Sequence, residues 1–153
     1  ELQARFQKAM IKRIALIGIY NLEMQTNPRL CAAGTAISEA EAAKVTLANA
    51  AAVRKVGLAW TRALARLWES AAAVLQGNLD EAAAQYGQAA DMFHDVDMKL
   101  YENAARFRRG ELLGGEAGEQ LKQDAIAALQ EEEVANPAGV IAMVAPHVSP
   151  QTT

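Results

Sequence analysis

The stretch Gly77-Asn78-Leu79-Asp80-Glu81-Ala82-Ala83-Ala84-Gln85-Tyr86-Gly87-Gln88-Ala89-Ala90 decides the fold of this chain. Gly77 is suited to end one helix and Asn78 to open the next, because glycine adopts the left-handed terminal conformation and asparagine favours helix starts. The small Ala82 and Ala89 flank Tyr86 on one helical face. Small and aromatic residues at that spacing allow two helices to pack closely. The stretch therefore predicts the turn and second helix of a helical hairpin.

Composition and charge narrow the class of protein. Of the 153 residues, 52% are hydrophobic and only 5% aromatic, and the many alanines favour an all-helical fold with close helix contacts. The net charge of -3 gives no electrostatic case for a nucleic-acid partner. A single cysteine, Cys31, cannot form an internal disulfide, so we expect a reducing, cytoplasmic location. The apolar run from Ile14 to Tyr20 is shorter than the roughly 20 residues that a membrane span requires.

Helix starts and stops recur along the rest of the chain. Ser38-Glu39-Ala40-Glu41 is a capping box, in which the Ser38 hydroxyl accepts a hydrogen bond from the backbone N–H of Glu41. Asp97 is predicted to cap the fifth helix, and Asn136-Pro137 predicts the start of the last. Breaks recur at intervals of roughly 20 residues, which fits antiparallel helices joined by short loops. These breaks lie at Gly57, Gly77, His94 and Gly114. The predicted fold is all-α, with stacked antiparallel hairpins over a single domain, 1–146, and a frayed tail, 147–153.

The first segment leaves two questions open. Its apolar spacing predicts a helix to about Met24, after which Pro28 either starts a new helix or kinks a continuing one. The basic side formed by Arg5, Lys8 and Lys12 is compatible with a membrane surface, although a solvated face opposite a buried one is the favoured interpretation. The segment is also expected to belong to a fragment of a longer protein, because it begins inside a helical pattern.

No group of residues predicts catalysis, a cofactor or a metal site. His94 stands with Asp91, Asp95 and Asp97, but a turn with a helix cap explains that cluster better than a metal, which usually needs more than one imidazole when histidine is used. The glycine-rich run 114–118 lacks the Lys-Ser/Thr ending of a phosphate loop, so it is interpreted as helix termination at Gly114. Cys31 has no predicted base beside it and is expected to be a small buried thiol.

Four arginines are the candidate partner-binding residues, because exposed arginine is enriched at binding surfaces. They are Arg62, Arg66, Arg106 and Arg109. Trp60 and Trp68 lie eight residues apart on one helix face, where core packing is their expected role and an aromatic ligand pocket with Tyr86 is the alternative. The residues with a predicted structural role are Trp60, Trp68, Gly77, Ala82, Tyr86, Ala89, Gly114 and Pro137.

The run from Leu58 to Pro146 resembles the C-terminal helical region that follows the catalytic domain in many large bacterial serine/threonine protein kinases. The resemblance depends on the order and spacing of several pieces, not on any one of them. In chain order these are the helix carrying Trp60, the turn 77–78, and the runs 89–93, 97–101, 104–106, 109–118, 136–137 and 145–146. The pattern is tetratricopeptide-like but irregular, since Arg66 and Glu69 occupy positions where large apolar residues are usual.

The resemblance implies a signalling protein with a kinase parent, whereas this fragment carries none of the kinase signatures. The predicted function is therefore a non-catalytic protein-interaction or regulatory scaffold without a cofactor. Its partner would be another domain of the same chain, a peptide or a second copy. The alternative is a small-molecule-sensing or oligomerisation domain of another multidomain signalling or transcriptional regulator.

Overall fold

The computed structural model describes residues 2–149 of the chain, with side chains from Leu16 onward. Within those residues it contains seven helices: α1 (Leu2–Ala32), α2 (Glu39–Arg54), α3 (Ala59–Leu75), α4 (Leu79–His94), α5 (Lys99–Leu113), α6 (Gly115–Glu131) and α7 (Pro137–Val144). The only β-type pairing in the described part of the chain is an isolated bridge between Ala33 and Ile37. The predicted all-α fold is confirmed. Each helix from α2 to α6 packs against the helices before and after it, and α7 lies mainly against α5.

Helix α1 continues through Pro28 and ends at Ala32, so proline does not start a new helix there. The prediction that the first helix ends near Met24 is wrong. Proline lacks an N–H and therefore removes one helical hydrogen bond, which a long helix with tertiary contacts tolerates. The predicted basic side at Arg5, Lys8 and Lys12 lies outside the residues whose side chains are described.

Three polar contacts join the second half of α1 to other helices. Asn49 of α2 donates its side-chain N–H to Thr26 Oγ1 at 2.9 Å in a buried contact. Tyr101 of α5 donates its hydroxyl to Glu23 Oε1 at 2.9 Å, and Asn27 donates to the carbonyl of Met143 in α7 at 2.9 Å. Because Glu23, Thr26 and Asn27 lie within about one turn, they hold this part of α1 against α2, α5 and α7.

The ends of α2 follow the sequence prediction. Ser38 Oγ accepts the backbone N–H of Glu41 at 3.2 Å, as a capping box requires. After the last turn, Gly57 adopts a φ of 81°, which favours glycine because other residues are strained there.

The turn between α3 and α4 is a Schellman motif. Gly77 has a φ of 77°. Its N–H donates to the carbonyl of Val74 at 2.9 Å, and the N–H of Asn78 donates to the carbonyl of Ala73 at 2.9 Å. Asn78 precedes α4 as predicted, although its side chain makes no capping hydrogen bond. The face predicted to be packed is buried, with exposures of 0% for Ala82, 2% for Tyr86 and 0% for Ala89.

Asp97 does not cap α5, so that prediction is wrong. It adopts a φ of 55° and takes the glycine-like position of a second Schellman motif that ends α4. Its N–H donates to the carbonyl of His94 at 3.1 Å, and the N–H of Met98 donates to that of Phe93 at 3.0 Å. Aspartate tolerates the left-handed conformation better than most residues, which explains why this helix ends without glycine.

Helices α5 and α6 cross at two glycines. A Cβ added to Gly118 would lie 2.4 Å from the carbonyl oxygen of Gly110, and one added to Gly110 would lie 2.6 Å from that of Gly118. Gly114 ends α5 as predicted and is followed directly by α6. The glycine-rich run thus combines a tight turn with a close helix crossing.

The last described residues differ from the expected frayed tail. Asn136 Oδ1 accepts the N–H of Gly139 at 3.0 Å and Pro137 begins α7, as predicted. After α7, however, Pro146 and Val148 are buried, and Val148 belongs to the same hydrophobic cluster as Tyr86. The rest of the predicted tail, 150–153, lies outside the described residues.

Candidate interaction site

The four predicted partner-binding arginines lie on two helices. On α3, Arg62 is exposed, whereas Arg66 contacts Glu69 at 3.2 Å. On α5, Arg106 forms an ion pair with the buried Glu102 at 2.7 Å. These contacts already engage Arg66 and Arg106 within the chain. Their partner-binding role stays a prediction.

Arg109, the fourth of these arginines, lies over the backbone of α4. A Cβ added to Gly87 would be 3.0 Å from Arg109 Nη1, so the guanidinium lies close to the backbone of α4 at this glycine. Arg109 of α5 therefore approaches α4 at Gly87.

Arg108 is the buried arginine of α5, with an exposure of 6%. Its Nε donates to the carbonyl oxygen of Ala145 at 2.7 Å, and its Nη1 donates to Glu111 Oε2 at 2.7 Å. Nη1 also lies 3.4 Å from His147 Nδ1. A buried guanidinium requires such partners, because an unpaired buried charge is strongly destabilising.

Arg108 is not among the four predicted partner-binding arginines, although the sequence contains a signal for its burial. Ala104, Ala105 and Leu112 recur at helical spacing, and Arg108 falls on the same face as these apolar residues. A charge on a core-facing stripe indicates a buried, paired group.

An apolar groove lies next to Arg108, at the turn end of the α3–α4 hairpin. Its apolar walls are formed by Val74 of α3, Leu79 and Tyr86 of α4, and Leu112 of α5. Because Val74 and Leu79 flank the Gly77 turn, the turn that decides the fold also places this groove.

Tyr86 lines the groove with its hydroxyl in the neutral form. Burial raises the pKa of Tyr86 above its ordinary value, and the nearby positive charge of Arg108 opposes that rise only in part. Tyr86 thus brings a largely apolar ring and a phenol O–H, not a charge, to the groove.

Residues 145–149 follow α7 without regular secondary structure, and His147 and Val148 of this segment line the groove. Ala145, Pro146 and Val148 are buried, whereas His147 points its ring to the rim, 3.5 Å from Glu111 Oε1. A cavity of about 200 Å³ remains beside Val148 and His147. The chain therefore places its own irregular segment in the groove but does not fill it.

A second surface is the apolar stripe of α1, formed by Leu16, Ile17, Tyr20 and Met24. The exposed fractions are 67% for Ile17, 58% for Tyr20 and 67% for Met24, which are high for large apolar side chains. These residues recur at helical spacing and lie on one face, beside the face that packs on the rest of the molecule. Contiguous exposed apolar residues of this kind mark interaction surfaces.

Cys31 is exposed, so the predicted buried thiol is wrong. It lies seven residues after Met24, and Met24 lies seven after Ile17, which places all three near one line along α1. The signal available in the sequence was this spacing, which continues the apolar stripe through Pro28.

The tryptophans take different positions. Trp68 is fully buried, as predicted, and its indole N–H has no hydrogen-bond partner within the described residues. Trp60 is only partly buried against the same core. Neither lines the cavity next to Tyr86, so the aromatic pocket of Trp60, Trp68 and Tyr86 is not assembled there.

The acidic cluster around His94 makes local contacts. His94 Nδ1 lies 3.2 Å from Glu102 Oε1, and Asp97 forms the turn described above. Among the described residues, no group of three or more His, Cys, Asp or Glu side chains is arranged to hold a metal ion.

Comparison of the chain with protein families, with curated proteins and with solved structures finds no match. Over residues 2–149, no helix has the length and apolar character needed to cross a membrane.

Proposed function

We propose that this chain is a non-catalytic protein-interaction scaffold, built from tetratricopeptide-like helical hairpins. The observation that carries the proposal is the apolar stripe of α1, where Ile17 and Met24 each expose 67% of their surface. Leaving such side chains in water forgoes about 1.5–3 kcal/mol of burial free energy for each residue. A partner that covers the stripe would recover part of that energy.

The partner that best fits the stripe is a second copy of the chain. Ile17, Met24 and Cys31 repeat at intervals of seven residues, which is the spacing at which two helices pair along a shared seam. The repeat is short, so a weak dimer is expected. A twofold arrangement would place the stripe of one copy against the same stripe of the other.

Sedimentation velocity at increasing protein concentration tests this proposal. The wild type should associate, and Ile17→Glu should remain monomeric because it places a charge in the seam. Gln25→Glu adds the same charge on an adjacent exposed face of α1 and serves as the matched control, which should still associate. A wild type that stays monomeric up to near-millimolar concentration would contradict self-association through α1.

The wider setting of the scaffold is also a proposal. The order of motifs between Leu58 and Pro146 supports an origin as the C-terminal region of a cytoplasmic bacterial serine/threonine protein kinase. The sequence of the gene upstream of Glu1 decides this point. A Gly-rich loop with its lysine, a His-Arg-Asp loop and an Asp-Phe-Gly motif are expected there, and a nucleotide-cyclase or DNA-binding domain would contradict the kinase origin.

A further inference from the structure

We propose that the groove between α3, α4 and α5 is a binding site for an extended peptide, and that residues 145–149 are its displaceable intramolecular occupant. This inference rests on the proposed interaction function and names a partner for a surface distinct from α1. The peptide would carry a proline followed two residues later by an aliphatic side chain, as Pro146 and Val148 do here.

The contacts of the segment are those of a bound peptide. Arg108 donates to a backbone carbonyl, that of Ala145, which any peptide can offer. Val148 is buried and lines the groove together with Tyr86 and Leu112. Main-chain hydrogen bonds supply affinity and side-chain pockets supply specificity in extended-peptide recognition, and the groove offers one of each.

Proline favours this mode of binding. The residue before a proline is biased away from the helical conformation, so Pro146 keeps Ala145 out of α7 and directs the chain into the groove. The φ of -135° and ψ of 80° at Ala145 agree with that bias. Proline also restricts the backbone of the segment before it docks, which lowers the entropy cost of docking.

The groove has room for a larger side chain than valine. The cavity of about 200 Å³ lies directly beside Val148. One added methylene contributes roughly 0.8 kcal/mol when it is fully buried, which corresponds to about fourfold in affinity. A partner peptide with leucine at this position should therefore bind several times more tightly than the chain's own sequence.

A fluorescently labelled, capped peptide of sequence Ala-Pro-His-Val-Ser provides the test, titrated into full-length protein and followed by fluorescence anisotropy. In the wild type the tethered segment competes at an effective concentration near the millimolar range. In Val148→Asp the segment leaves the groove, so this variant should bind the free peptide at least tenfold more tightly than the wild type. Val148→Ser repeats the experiment without adding a charge, and circular dichroism checks that both variants keep the wild-type helix content.

Two peptide controls sharpen the result. The peptide with leucine in place of valine should bind more tightly to Val148→Asp, and the peptide with aspartate there should not bind. Adding Arg108→Met to Val148→Ser should weaken peptide binding at least tenfold, because the donor to the peptide carbonyl is lost.

Three outcomes would overturn the inference. Equal binding to wild type and to both Val148 variants would mean that the segment does not occupy the peptide site. Absence of binding to folded Val148→Asp and Val148→Ser would mean that the groove is no peptide site. A wild-type dimer that Val148→Asp dissociates while Ile17→Glu does not would assign the segment to the groove of a second copy. The first two outcomes do not bear on self-association through α1, whereas the third would move the dimer interface to the groove and contradict the α1 seam as well.

Discussion

A methyl group added at Gly118 measures how closely α5 and α6 cross. The new Cβ would lie 2.4 Å from the carbonyl oxygen of Gly110, whereas ordinary contact begins near 3.4 Å. The backbone oxygen cannot rotate away, so the helices would have to separate by about 1 Å at the crossing. Overpacking of this kind costs about 1–3 kcal/mol, and the higher helix propensity of alanine offsets about 0.5–1 kcal/mol of it. Gly118→Ala should therefore lower the free energy of unfolding by up to about 2.5 kcal/mol.

The assay is urea denaturation followed by circular dichroism, with Gly18→Ala as the matched control. Gly18 also lies inside a helix, but among the described residues, apart from its chain neighbours and the nearby backbone of its own helix, no atom lies within 4 Å of the position of an added Cβ. That substitution should stabilise the protein by up to about 1 kcal/mol, because it gains helix propensity without a clash. If Gly118→Ala is as stable as Gly18→Ala, the close crossing of α5 and α6 is refuted.

Three further predictions concern other parts of the molecule. Tyr86→Ala should destabilise the protein by roughly 3–5 kcal/mol because the ring is 2% exposed, and a loss below about 0.5 kcal/mol in urea denaturation would mean that the ring is not buried. Burial raises the pKa of both Tyr86 and Tyr101, so the unfolded chain loses these protons first as the pH rises. The stabilisation from these protons is complete below about pH 10, which is near the pKa of tyrosine in the unfolded chain. Above that pH, the free energy of unfolding should fall by up to about 1.4 kcal/mol per pH unit for each tyrosine. The double substitution to Phe should flatten this decline in denaturation at alkaline pH, and an unchanged slope would contradict the burial of the two hydroxyls. Cys31 is exposed and should react with a thiol reagent in the native protein as fast as in the unfolded one, whereas strong protection would contradict its position.

The helical fold was predictable because its signals are local. The Schellman turn at Gly77, the capping box at Ser38 and the start of α7 at Pro137 each depend on a few neighbouring residues. The sequence therefore placed most helix boundaries within a few residues.

The errors come from places where a local signal meets a tertiary contact. Pro28 signals a break, but the polar contacts of Glu23, Thr26 and Asn27 just before it hold this part of α1 against other helices, and the helix continues to Ala32. Asp97 signals a helix start, but its left-handed conformation ends the preceding helix instead.

The candidate groove was the least predictable part. Arg108 meets the carbonyl of Ala145 across 37 residues of sequence, and no local pattern announces that contact. The four arginines selected for binding were chosen by type and expected exposure, whereas the arginine in the groove is the buried one. Burial of a charge on an apolar helix face is the signal that would have found it.

The most direct test of the central claim is methyl NMR of the intact chain, observing the nuclear Overhauser effect between the methyl groups of Val148 and the ring of Tyr86. Occupancy of the groove by residues 145–149 predicts a clear cross-peak and ring-shifted Val148 methyl resonances. Random-coil methyl shifts without any cross-peak would contradict the claim that this groove holds an extended peptide segment.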